Sequence, residues 1–326
     1  MRRGPALPRS LRRLLGVAAL AGLAACGEAP VEVSAPVPER PPTAPDTSPV
    51  PQSRAEAPSA ASEALSLFYA RLETDLLSRG LLRRDGGGPD APFTDTTLAR
   101  NFERIALFDE YVFDGPSIRA ETTESFLRRW EETVRFGVEF GARVPEAQRA
   151  EDRANVAAFV RRLSRVSGHP MIYDETDPNF HVLILTEDDR RSIAPRLREL
   201  VPGISDTSIR AFQTPDRGTL CLVLAFSPGN SAVYTKAVAL IRAEHPDLLR
   251  LSCIHEELAQ GLGLANDSPL ARPSIFNDDE EFGLLTTHDE LLLKMLYDPR
   301  LTPGMTAPEA RPIVRQIASE LVGGPS

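Results

Sequence analysis

Residues 252–267, Ser-Cys-Ile-His-Glu-Glu-Leu-Ala-Gln-Gly-Leu-Gly-Leu-Ala-Asn-Asp, demand a helix that stops at a glycine and turns back on itself. Ile254, Leu258 and Leu262 recur every four residues, which gives the helix one apolar stripe. Ser252 is the expected N-cap, and Glu256 and Glu257 follow it near the positive end of the helix dipole. Gly263 suits the left-handed position that ends a helix, with Leu264 as its apolar contact. Glu256 and Gln260 are four apart and share a face. A sharp turn at Gly263 brings Asn266 and Asp267 back towards that face. Several oxygen-bearing side chains are thereby expected to converge.

This spacing resembles the zinc-binding helix of the metzincin metallopeptidases, HExxHxxGxxH. Glu256, Gln260 and Asn266 stand at the three histidine positions, Glu257 at the glutamate and Gly263 at the glycine. In a metzincin the histidines hold zinc, and the glutamate polarises the metal-bound water as general base. The resemblance implies Glu257 as the catalytic base and Glu256, Gln260, Asn266 and Asp267 as the metal-facing set. Zinc prefers imidazole or thiolate, whereas carboxylates and amides suit calcium, magnesium or manganese. No typical zinc site is therefore expected, and the cofactor class left open is an oxygen-liganded divalent metal. The same residues also read as the polar face of a half-exposed helix, hydrogen-bonded to neighbours. His255-Glu256 opens like HExxH, but Ala259 stands where the second histidine belongs. His169, His181, His245 and His288 are scattered singly and read as surface or capping residues.

The likeness extends beyond the helix. Cys253-Ile254-x-Glu256-Glu257-x-x-Gln260-x-Leu262-Gly263-Leu264-x-Asn266-Asp267 resembles the signature of a family of bacterial exported proteins described only as a domain of unknown function and grouped with the metzincin-like peptidases. Asn101-Phe102-x-Arg104-Ile105-Ala106-Leu107 upstream agrees with it, as do Ser274–Asp279 and Leu291–Leu301 downstream. The resemblance covers roughly residues 95–306. In that family EExxQ is the rule, so the missing histidines are no defect of this chain. A metzincin Met-turn has no clear counterpart: Met295 falls inside an expected helix and Met305 in a loop.

The N-terminus carries an address. Arg2, Arg3, Arg9, Arg12 and Arg13 precede an apolar run from Leu14 to Ala25 that contains no acidic residue. This is the pattern of a secretory signal peptide, and the run is short for a membrane span. Leu23-Ala24-Ala25-Cys26 resembles a bacterial lipobox, which implies that Cys26 is acylated and anchors the chain to a membrane. Gly27 in place of an aspartate leans towards the outer membrane. Nine prolines between residues 27 and 60 prevent that segment from burying a core. Fully extended it reaches on the order of 100 Å, a disordered tether holding the folded part in the periplasm.

Of three cysteines, Cys26 is assigned to the anchor, leaving Cys221 and Cys253. One remaining pair in an exported chain is expected to form a disulfide.

Hydrophobic periodicity supplies the rest of the architecture. Leu65, Phe68, Leu72 and Leu76 predict an N-terminal helix, set off by Gly86-Gly87-Gly88-Pro89 and free either to dock or to stand apart. A second helix is expected from Leu98 to Phe108, with Asp95 as its cap. Val134, Phe136, Val138 and Phe140 alternate as a half-buried strand, and residues 146–166 form an amphipathic helix. His181–Leu185 and Leu220–Phe226 are strands, and Ala232–Ile241 is a strand or partly helical. The fold class expected is α+β: a metzincin-like domain with a mixed twisted sheet, a backing helix and a motif helix. The expected divisions are a signal peptide (1–25), a lipidated cysteine with its tether (26–60), an N-terminal helix and linker (61–92), the metzincin-like domain (93–310) and a C-terminal helix or tail (311–326).

Charge argues against nucleic acid. Setting aside the five leading arginines leaves 32 basic against 46 acidic residues, a net charge of −14. The run Asn277-Asp278-Asp279-Glu280-Glu281 lacks EF-hand spacing and reads as a solvated loop. GxSxG and a Gly-rich phosphate loop are both missing. Two functions remain. One is a periplasm-facing binding or scaffolding lipoprotein built on a peptidase frame, with an envelope protein or peptide as partner. The other is a peptidase or cell-wall hydrolase that uses Glu257 as general base.

Overall fold

The computed structural model describes residues 57–114, 117–277 and 279–323. The expectations for the signal peptide, Cys26 and most of the tether lie outside the described residues. The chain divides into two units, Met1–Gln52 and Ser53–Ser326, and every element named below belongs to the second.

Helix α1 (Ala60–Ser78) starts where Ser59 accepts a hydrogen bond from the Ser62 N–H. It docks rather than standing apart. Tyr69 is fully buried, and its hydroxyl donates to the Arg217 carbonyl at 3.0 Å. The Ser62 hydroxyl donates to the buried Glu244 carboxylate at 2.6 Å, and the Glu73 carboxylate accepts from the Leu249 N–H at 2.9 Å.

Helix α2 (Asp95–Ala106) is capped by Thr94 in a reciprocal box with Thr97, one residue ahead of the Asp95 cap expected. It runs into an antiparallel hairpin, β1 (Phe108–Asp114) and β2 (Ser117–Glu124). Two short strands pair over a long sequence separation: β3 (Arg129–Trp130) lies parallel to β8 (Val233–Tyr234).

The main sheet is built from β4 (Val134–Phe140), β5 (Met171–Tyr173), β6 (Phe180–Leu185), β7 (Cys221–Phe226) and β9 (Lys236–Arg242). Its order is β5-β4-β6-β9-β7. The first four strands are parallel, while β7 runs antiparallel to β9 and forms one edge. Phe180–Leu185 is buried at every position, the signature of a central strand covered on both faces. Helix α3 (Glu146–Ser167) crosses over between β4 and β5, ending at Gly168 with φ +71°.

The stretch between β6 and β7, to which periodicity assigns no element, holds α4 (Glu187–Arg190), α5 (Ala194–Leu200) and α6 (Asp206–Gln213). Leu197, Leu200, Ile209 and Phe212 pack there against Leu222, Val238 and Leu240 and cover one face of the sheet. The stretch 232–241 holds two strands, β8 and the start of β9, and no helix.

On the opposite face lie α3, the motif helix α7 (Asp247–Gln260), α8 (Thr287–Leu296) and α9 (Ala307–Val322). The fold is α+β, a mixed sheet between two helical layers. Helix α7 starts six residues earlier than expected: Pro246 is the N-cap, Asp247 occupies the first turn, and Ser252 is buried inside the helix. Asp247 complements the helix dipole and pairs with Arg250 at 3.0 Å, which stabilises the earlier start. Arg250 also meets the buried Asp152 of α3 at 2.8 Å, pinning the two helices together.

The isolated histidines are also corrected. His181, His245 and His288 are buried, as is His255, and only His169 is partly open to solvent. His255 stacks on Phe159 with ring centroids 3.9 Å apart, and its Nδ1 accepts from the Leu285 N–H at 3.1 Å. That bond fixes the neutral tautomer. Burial, with Arg162 nearby, pulls its pKa down to about 3.

Candidate functional site

Helix α7 and strand β7 enclose a cavity of about 260 Å³ beside the sheet edge. Glu256, Glu257 and Gln260 line it from the helix, and Asp267 and Glu280 line it from the loops that follow. Cys221, Val223 and Ala225 supply the strand side. Glu256 is half-buried, whereas Glu257 and Gln260 are almost fully covered. The Gln260 amide donates to Asp267 at 3.2 Å, so the turn after the helix does bring Asp267 back to the helical face.

Asn266 is placed elsewhere. Its side-chain amide donates to the Arg104 carbonyl and to the Asp267 carbonyl, both at 2.9 Å, and its backbone N–H donates to Ile105 at 3.1 Å. It fastens the turn to the end of α2 and does not line the cavity. Glu256, Glu257, Gln260 and Asp267 are thus brought together, and Asn266 is not among them.

The turn itself explains this placement. The helix ends at Gln260, with Gly261 as its cap in right-handed conformation, and Gly263 takes φ +130°. The positive φ expected at Gly263 is present, though not as the helix cap. The Trp130 indole N–H donates to the Gly261 carbonyl at 2.9 Å, and the Tyr297 hydroxyl donates to the Leu262 carbonyl at 3.3 Å. The first satisfies a carbonyl that the helix end leaves open, and the second one just beyond it. A Cβ on Gly261 would fall 2.5 Å from the Phe180 ring, so glycine lets the helix end approach the sheet.

The disulfide joins Cys221, the first residue of β7, to Cys253 in α7. It ties the edge strand to the motif helix directly beneath the cavity, with the Cys221 sulfur 3.9 Å from the Glu256 carboxylate. Cys253 is buried against His245, whose Nδ1 lies 3.7 Å from its sulfur. Burial, reinforced by Arg242 and Arg250, keeps the His245 imidazole well below its usual pKa and therefore neutral.

Residues outside the motif complete the site. Val223, Ala225, Tyr234 and Ala265 line both the first cavity and a second, of about 580 Å³, further along β7. There the Asp109–Arg128 pair, at 2.6 Å, forms the far wall, and the Arg128 guanidinium lies over the Phe126 ring. Burial raises the Tyr234 phenol to about 12, so it is a protonated hydroxyl at neutral pH. Glu280, from the acidic run read as a solvated loop, faces the first cavity, while Glu281 pairs with Arg83 and Arg272. Tyr234 carried no sequence signal beyond its place in a short apolar run.

The donor set is one of carboxylates and an amide. Among the described residues, no group of three or more His, Cys, Asp or Glu side chains is arranged to hold a metal ion. The chemistry available to this chain's own atoms is hydrogen bonding, proton transfer at a carboxylate and backbone pairing along β7. That strand pairs with β9 alone among the described residues, leaving its outer row of N–H and C=O groups to face the groove. No helix among the described residues is long and apolar enough to cross a membrane.

No curated protein and no solved structure matches the chain. Residues 95–316, which hold both walls of the cavity, match the family described as "Protein of unknown function (DUF2927)", and the chain belongs to that family.

Proposed function

We propose that this protein is a lipid-anchored, periplasm-facing envelope protein whose folded unit binds an extended segment of a partner along β7, on a frame derived from a metzincin-like peptidase. The observation that carries the reading is the edge of β7, which has no strand partner on its outer side among the described residues, beside the α7 cavity. An added strand completes the row of backbone hydrogen bonds, and the flanking cavities receive its side chains. Cys26, behind its apolar run, supplies the anchor, and the proline-rich stretch supplies reach.

A second reading is favoured by one specific arrangement. Glu257 lines the same cavity as Glu256, Gln260 and Asp267, so a peptide held along β7 passes a carboxylate able to take a proton from water. In that reading Glu257 is the general base of a hydrolase acting on peptide or cell-wall material.

Two experiments separate the readings. A photoreactive residue at Ala225, on the edge strand, should capture a defined segment of an envelope protein in living cells. Failure to capture one removes the binding reading. Replacing Glu257 by Gln should leave both folding and capture intact. If that variant also restores a deletion strain fully, the hydrolase reading is excluded; loss of function with capture retained supports it.

A further inference from the structure

We propose that a cavity between the α5–α6 connection and the β7–β8 turn binds an amphipathic monocarboxylate, with an acyl chain on its apolar wall and the carboxylate on Lys236. Among the described residues it shares no lining residue with the α7 cavity, and it does not depend on strand addition at β7.

The cavity has a volume of about 520 Å³, in the size range of small-molecule sites. Leu200, Val201, Ile204 and Phe226 give it an apolar wall, and Lys236 is the one charged residue among the described residues that line it. The sheet puts the cation there. Phe226 of β7 and Lys236 of β9 are register partners, so their side chains project to the same face. Val238 and Leu240, the next residues of β9 on that face, pack against α5 and α6. The Thr235 N–H donates to the Phe226 carbonyl at 3.0 Å and holds the end of the ladder closed.

Two polar groups at this wall have unmet capacity. The half-buried Lys236 ammonium reaches only the Pro178 carbonyl, at a long 3.5 Å, and pairs with no carboxylate among the described residues. Two of its three N–H groups remain for a ligand. The Ser227 Oγ, on the same lining, is buried and has no hydrogen-bond partner. A single cation beside apolar surface selects a monoanion, because a second negative charge would lie uncompensated there. The Leu200, Val201, Ile204 and Phe226 side chains select a hydrocarbon chain behind that anion. A peptide end suits the site less, since its amide groups need partners that are already engaged. The Ser205 and Ser208 hydroxyls lie 2.9 Å apart, the Ser205 Oγ also accepts from the Ser208 N–H at 3.0 Å, and the Phe226 carbonyl is taken by Thr235.

The test titrates the full chain with sodium decanoate below its micelle concentration, followed by calorimetry. Decanol and decyltrimethylammonium, with the same chain and no anion, should bind about tenfold more weakly or worse. K236M should bring decanoate down to the level of decanol, and K236R should retain its affinity. A second arm needs no variant. Lys236 and Lys294 are the two lysines of the chain, and Lys294 is exposed on α8. Decanoate should therefore slow acetylation of Lys236 by acetic anhydride, read by mass spectrometry, and leave Lys294 unaffected. Equal binding of decanoate and decyltrimethylammonium, no binding at all, or equal labelling of Lys236 with and without decanoate overturns the site. A short peptide with a free C-terminal leucine that shields Lys236 at lower concentration than decanoate would make the occupant a chain end and overturn the acyl assignment.

Discussion

The carbonyl oxygen of Arg128 lies 2.2 Å from where a Cβ on Gly263 would stand. Two segments far apart in sequence meet there with room for a hydrogen atom and nothing larger, and the backbone takes φ +130°. Gly263→Ala should therefore destabilise the fold by roughly 3 kcal/mol or more, combining backbone strain with steric overlap. A urea denaturation curve with an unchanged midpoint would show that the contact yields easily.

The disulfide closes a separation of 32 residues between β7 and α7. Replacing Cys221 and Cys253 together by serine should lower stability by about 3–4 kcal/mol, from the entropy restored to the unfolded chain. The first residue of β7 should loosen most. Amide hydrogen exchange checks this: protection in β7 should fall while protection in β6 holds.

Acid should unfold the protein through its buried imidazoles. The folded pKa of His255 is held near 3 against an ordinary histidine value of 6.5, so the unfolded chain binds the proton more readily between those values. Stability from this group is full above about pH 6.5 and is lost as pH falls towards 3. His245 acts in the same direction. His255→Leu should flatten that pH slope, while costing about 1–3 kcal/mol at neutral pH by leaving the Leu285 N–H unpaired. Urea midpoints measured across pH decide it; an unaltered slope would refute the assignment.

Glu139 behaves as the carboxylate counterpart. Burial alone would raise its pKa, but the His181 ring 3.3 Å away and two hydrogen bonds from the Arg196 guanidinium override burial and bring it to about 2. Its contribution is present above the ordinary glutamate range and is lost as pH falls through 2. Glu139→Gln should remove the part of the acid transition between pH 4.5 and 2, leaving the histidine limb in place.

The elements with a strong period were legible in the sequence. Alternation in Val134–Phe140 and the apolar runs of β6 and β7 located the sheet, and the four-residue stripe located α7. Helices α4 to α6 were missed because each is short and depends on packing against β7 and β9 rather than on a long stripe of its own. The start of α7 was misplaced because Ser252 outranked Pro246-Asp247 as a cap on local chemistry. What decides the matter is Arg250, which needs Asp152 from another helix. Glu256 and Gln260 were readable as one face because helical geometry relates them. Asn266 was not, because past Gly263 the direction of each side chain depends on partners such as Arg104.

Helix α1 gives the folded unit its mooring. Ser62 to Glu244, Tyr69 to Arg217 and Glu73 to Leu249 bind it at three levels along its length. A pull directed along the axis of α1 loads these bonds in shear, side by side, rather than peeling them one after another. Leu249 sits in the first turn of α7, whereas the cavity lies at the far end of that helix. In an anchored molecule, mechanical load is taken up at one end of the motif helix while the other stays free to hold a ligand.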